Sequence, residues 1–196
     1  MLPLIKAFKS GFYLVGGTAI ALHIGHRYSL DFDLFSNEEI HVGRIKSKLR
    51  RLGYSIQHIL YEDRSQLNCV IDSVKLTFYH FPYHIEASSC FDGWINMPDL
   101  LTLGAMKVFA LGGIGKWKDY VDLYHIFKDH HSLSEVCERA KSVFGNAFNE
   151  KLFRQQLAYY DDISFEEEVE YLGEKIERKD VKSFLTELAL KSMRGE

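Results

Sequence analysis

The chain has 196 residues, enough for one substantial domain or a small domain with a helical appendage, and its 46% hydrophobic and 26% charged residues are those of an ordinary globular protein. A formal charge of −3 excludes nucleic-acid binding through overall charge; a partner of that kind needs positive charge gathered locally. No apolar run approaches the ~20 residues that span a bilayer, so no membrane partner is expected. The opening MLPLIKAFKSGFYLVGG is broken by lysines and glycines too early for a leader, and Cys69, Cys90 and Cys137 lack metal-like spacing. A reduced, cytoplasmic protein is the expectation.

In chain order, FYLVGG reads as a short buried strand ending in a glycine turn. TAIALHIGH reads as a helix that stops near Gly25. LDFDLF alternates acidic and apolar residues, a strand pattern with Asp31 and Asp33 on one face and Phe32 and Leu34 on the other. EEIHVGRIKSKLRRLGY predicts a helix with acids first and basic residues last, as the helix dipole prefers, stopped by Gly53. YSIQHILYE, LNCVID and VKLTFYHF predict three strands, the last two joined by a turn at Asp72–Ser73. After Pro82 the pattern becomes helical: Pro98 and Asp99 open MPDLLTLGAMKVFALGG, followed by KWKDYVDLYHIFKDHH, LSEVCERAKSVF, NEKLFRQQLAYY and DVKSFLTELALKSMRGE.

The order strand, Gly-Gly turn, helix, strand with Asp-x-Asp has a chemical logic. A helix N-terminus after Gly16 and Gly17 offers unpaired N–H groups to a phosphate, and glycine lets that phosphate come close to the backbone. Thr18 and Ser29 add hydroxyl donors. Two carboxylates one residue apart repel unless neutralised, and Mg2+ is commonly held by one or two carboxylates plus substrate phosphates.

FYLVGGTAIALHIGHRYSLDFDLF resembles the first motif of DNA polymerase-β-type nucleotidyltransferases. More narrowly, it is similar to the AbiEii/AbiGii toxin family of bacterial toxin–antitoxin and phage-defence systems. AMKVFALGGIGKWKDYVDLYHIF resembles that family's later helical motif, and VKLTFYHFPY its middle strand; together the matches span roughly residues 10 to 127. The resemblance implies nucleotidyl transfer: an acceptor hydroxyl attacks the α-phosphate of an NTP and pyrophosphate leaves. It implies that Gly16, Gly17, Thr18 and Ser29 bind the nucleotide and that Asp31 and Asp33 carry Mg2+ or Mn2+. Lys107 is implied to reach the triphosphate, Asp119 to orient that lysine or the acceptor, and Asp122 to be a further catalytic candidate. The sequence departs from the pattern twice: the third carboxylate of many relatives is absent from VKLTFYHF, where Lys75, Thr77 and Tyr79 form that face, and Ile114 stands where an arginine is expected.

Each motif also has a plainer reading. Asp31 and Asp33 are compatible with a solvated strand face, Lys107 with a snorkelling side chain, and Asp119 and Asp122 with helical pairing to Lys116 and Lys118. RIKSKLRR is the densest basic cluster, a solvated helix face or, through Arg44, Lys48 and Arg51, an RNA contact. The histidines have no zinc-like spacing, and FEEEVEY reads as an acidic helix surface.

The expectation is therefore an α/β (α+β) chain of polymerase-β-like nucleotidyltransferase fold, a small mixed sheet with flanking helices plus a helical C-terminal region. Residues 1–92 form the α/β core and 93–196 the helical region completing a cleft. The expected function is Mg2+-dependent transfer of NMP from an NTP to an acceptor hydroxyl, RNA such as the tRNA 3′ end, by a toxin with an antitoxin partner. The alternatives are transfer to a protein or small-molecule hydroxyl, and a catalytically weak fold kept for nucleotide or partner binding.

Overall fold

The computed structural model describes residues 1–111, 115–161, 163–165 and 167–191. By contacts the chain divides into two units: Met1–Leu22 with Ser29–Asp99, and His23–Tyr28 with Leu100–Glu196.

The first unit is built on a seven-stranded sheet of order β3-β4-β5-β2-β1-β7-β6. Its strands are β1 (Tyr13–Val15), β2 (Phe32–Ser36), β3 (His58–Glu62), β4 (Gln66–Ile71), β5 (Val74–His80), β6 (Ser89–Phe91) and β7 (Ile95–Met97). β2 runs parallel to β5 and antiparallel to β1, and β1 runs parallel to β7. Cross-strand register puts Leu14, Leu34, Phe78 and Leu67 in one row, and all four are fully buried. Period-two alternation then sends their neighbours Val15, Asp33, Thr77 and Asn68 to the opposite face. The buried face packs on α1 (Leu2–Phe8), where the Phe8 ring lies 4.9 Å from that of Phe78. On α3 (Val42–Arg51), Val42, Ile45 and Leu49 are buried, a spacing of three and four that puts them on one helical face.

β4 and β5 are joined at Asp72 and Ser73, both with positive φ, the geometry of a two-residue hairpin loop whose twist matches the strands. The sequence placed this turn. α3 is shorter than expected: it begins at Val42 after His41, with Glu38 and Glu39 ahead of it and no acid in its first turn. Helix α1 and the β6–β7 hairpin were not expected from the sequence.

The second unit contains α4 (Leu100–Ala110), α5 (Trp117–Asp129), α6 (Leu133–Phe144), α7 (Glu150–Leu157) and α8 (Arg178–Lys191). α4 packs closely on α6, where a Cβ added at Gly104 would lie 3.5 Å from Val136. α6 starts on a capping box, with Ser132 accepting from Glu135 N and the Glu135 carboxylate accepting from Ser132 N. The segment read as an acidic helix surface, FEEEVEY, is not helical where described. Instead Tyr171 bridges to Arg27, and Glu167 pairs with Lys116 and Lys118. Backbone pairing to another segment takes the groups a helix would use.

Candidate nucleotidyl-transfer site

In the first unit β1 passes directly into α2 (Gly16–Ile24), with no intervening residue. Gly16 adopts φ +73°, and an added Cβ would stand 2.4 Å from Asp33 Oδ2. The Asp33 carboxylate therefore lies against the backbone of the turn, in space that only glycine leaves open. The antiparallel pairing Val15↔Asp33 sets this approach, because it puts the aspartate beside the last residue of β1. Asp31 precedes β2, and its carbonyl accepts a hydrogen bond from the Thr18 hydroxyl, which is also 2.8 Å from Ser29 Oγ. Thr18 is buried, so this bond ties the first turn of α2 to the segment leading into β2. On the Asp33 face, the register partner from β5 is Thr77, 7% exposed.

Among the described residues no cluster of three or more His, Cys, Asp or Glu side chains could enclose a metal ion. A pair such as Asp31 and Asp33 would offer two carboxylates, a donor set that fits a hard cation such as Mg2+ completing its shell with water and substrate phosphates. It does not fit zinc, which takes four ligands in closed sites.

In the second unit the other candidate residues converge. Asp122 is fully buried on α5 and surrounded by donors. Arg27 Nε lies 2.7 Å from its Oδ1 and Nη2 3.0 Å from its Oδ2, His26 Nε2 lies 2.8 Å from Oδ1, and Lys107 Nζ is 3.1 Å from Oδ2. Lys107 Nζ also donates to Asp119 Oδ1 at 2.7 Å, and Asp119 accepts from the Lys116 backbone N–H. Burial alone would raise the Asp122 carboxyl, but Lys107, His26 and Arg27 outweigh it and hold it well below the usual carboxylate range. Burial would lower the Lys107 ammonium, yet Asp122 and Asp119 raise it above the ordinary lysine value. Both are charged.

Sequence reasoning missed Arg27 and His26. Arg27 stands 95 residues from Asp122, so no local spacing could have joined them. Ile114 lies outside the described residues. On α3, Arg44 and Arg51 are exposed, whereas Lys48 donates to the Ala7 carbonyl and sits 4.5 Å from the Phe8 ring, committed within the fold.

The model of the nucleotidyl transferase AbiEii toxin family, of type IV toxin–antitoxin systems, matches residues 5–88. Over residues 5–88 the chain is similar to the AbiEii nucleotidyltransferases. The matched segment holds the whole Gly16–Asp33 arrangement. The uncharacterized protein aq_aa25 of Aquifex aeolicus (strain VF5) is 28% identical over 187 residues, 89% of this chain and 88% of that one. The structure is similar to MenT4, a nucleotidyltransferase toxin of Mycobacterium tuberculosis H37Rv, with a TM-score of 0.64 and 14% identity over 96% of this chain and 80% of that chain. It is also similar to JHP933 from Helicobacter pylori, with a TM-score of 0.55 and 18% identity over 95% and 86%. At those identities the likeness establishes the fold, which is polymerase-β-like. No helix among the described residues is long and apolar enough to cross a membrane.

Proposed function

We propose that the chain transfers a nucleoside monophosphate from an NTP to an acceptor hydroxyl on RNA, with the tRNA 3′ end as the favoured acceptor. It would act as a Mg2+-dependent toxin held in check by an antitoxin. The observation that carries this reading is the Asp33 carboxylate lying against Gly16 at a strand-to-helix turn. The same few residues there offer helix N–H groups for phosphate and carboxylates for a cation.

In this reading the N–H groups that open α2 at Gly16 and Gly17 take phosphate oxygens. Asp31 and Asp33 hold Mg2+, which supplies charge neutralisation for the phosphates when bound. Thr18 and Ser29 hold the Asp31 backbone in place, through the hydrogen bonds the Thr18 hydroxyl makes. Lys107 presents its charge to the triphosphate, and Asp119 orients that ammonium. Asp122, with no exposed surface, acts through Lys107 and not on the substrate. The exposed Arg44 and Arg51 are the α3 groups left for RNA phosphates. Thr77 as the β5 partner of Asp33 supports a single carboxylate-held cation.

The test incubates the protein with Mg2+, each α-labelled NTP in turn and total bacterial tRNA, beside Asp31→Ala/Asp33→Ala. Label on RNA that the double variant loses is the expected result. Label on protein or on a small acceptor alone would overturn the RNA reading. NTP binding without transfer to any acceptor would leave a nucleotide-binding fold.

A further inference from the structure

We infer that Arg27 is a positioning residue for Lys107: by taking up the charge of Asp122, it sets how much of the lysine's charge is available to an anionic ligand. The inference rests on the reading of Lys107 as the cation that meets the triphosphate.

Arg27 is 3% exposed and makes a two-point contact, Nε on one oxygen of Asp122 and Nη2 on the other. Such a fork fixes the plane of the carboxylate as well as neutralising it. His26 Nε2 adds a further bond to Oδ1, while Oδ2 is shared between Arg27 Nη2 and Lys107. The backbone that presents both side chains is itself paired: Tyr28 N donates to Glu170 O at 2.8 Å and Leu172 N to His26 O at 3.2 Å. The fork is thus carried on an ordered segment, and its aim is set before any ligand arrives.

The charges of the cluster explain why the fork matters. Lys107 faces two carboxylates, Asp119 at 2.7 Å and Asp122 at 3.1 Å. With those alone it would sit in a net negative site, and an incoming phosphate would meet repulsion. Arg27 brings the four groups to neutrality and draws Asp122 toward itself. Among the described residues the ammonium makes two carboxylate contacts and has three N–H donors, so it can turn a third toward a ligand.

The experiment measures NTP binding and steady-state constants for Arg27→Lys, which keeps the charge and loses the fork. His26→Leu, which removes one Asp122 donor, and Lys107→Met are measured alongside, with thermal melts for each. Arg27→Lys is expected to raise the KM for NTP about tenfold, with kcat changed less, and His26→Leu to act in the same direction by a smaller factor. If Lys107→Met weakens NTP binding while the folded Arg27→Lys and His26→Leu bind as the parent does, the positioning role of Arg27 is wrong. If Lys107→Met itself leaves NTP binding unchanged, it is the triphosphate role of Lys107 that fails. Should Arg27→Lys not fold, His26→Leu decides alone, and an unchanged KM in it overturns the proposal.

Discussion

Gly16 shows how one missing side chain can position a carboxylate. Any β-carbon there meets Asp33 Oδ2 at 2.4 Å on a backbone with φ +73°, so Gly16→Ala has both a steric and a conformational cost. We expect it to destabilise the fold by about 1–3 kcal/mol. Because the displaced group is a proposed cation ligand, transfer activity should fall much further than stability. Melting curves alongside Mg2+ titration by calorimetry separate the two effects, and a variant that binds Mg2+ as tightly as the parent would contradict the assignment. The glycine and the aspartate were legible as a pattern because a tight turn and an alternating strand are local. The approach of one to the other was not, since it depends on the pairing of β1 with β2.

At the scale of elements, legibility followed the same division between local and long-range causes. α6 was placed residue for residue, Leu133 to Phe144, because a capping box and an apolar period both lie within it. α3 was extended too far at its start because Glu38 and Glu39 look like first-turn acids, whereas the chain stays extended through His41. β6 and β7 are three-residue strands at one end of the sheet, too short to declare a period. The β4–β5 turn is a further case of a local rule imperfectly met, with Ser73 at φ +64° where glycine is at ease. Ser73→Gly should stabilise the chain by about 0.5–1 kcal/mol, read as a shift in denaturation midpoint without a change in slope. A loss of stability would mean that the hydrogen bond from Ser73 N to the Gln57 side chain depends on the serine's restricted backbone.

For the whole molecule, the buried ionic cluster makes stability depend on pH in a direction that can be derived. His125 is held below its ordinary value by burial first and by His26 second, against Asp129 and with Lys128 also near. The unfolded chain therefore takes up that proton before the folded one, so this stability is present above about pH 6.5 and drains as the pH falls. Asp122, whose folded value is depressed, adds a second loss below about pH 4. Thermal midpoints followed from about pH 7 to about pH 5 should fall, and His125→Gln should flatten that slope. A parent protein with a level midpoint over that range would show that His125 does not titrate differently on folding. The likeness to the AbiEii model and the polymerase-β-like fold were readable from the sequence because the motifs are ordered along the chain. The cluster around Asp122 was not, because its members come from positions 26 and 27, 107 and 119 to 122 and meet only after folding.

The short segment His23–Tyr28 belongs by its contacts to the second unit, although the chain on either side of it belongs to the first. Neither unit is therefore a continuous stretch of gene. A fragment ending at Asp99 would inherit Arg27 and His26 without the aspartate they bind, and a second half moved to a foreign partner would carry Asp122 without its arginine. Recombination can exchange these halves only between chains that keep both ends of that bond. Swapping one half alone for that of a chain without the matching residue should therefore cost stability, because it leaves a buried charge without its partner.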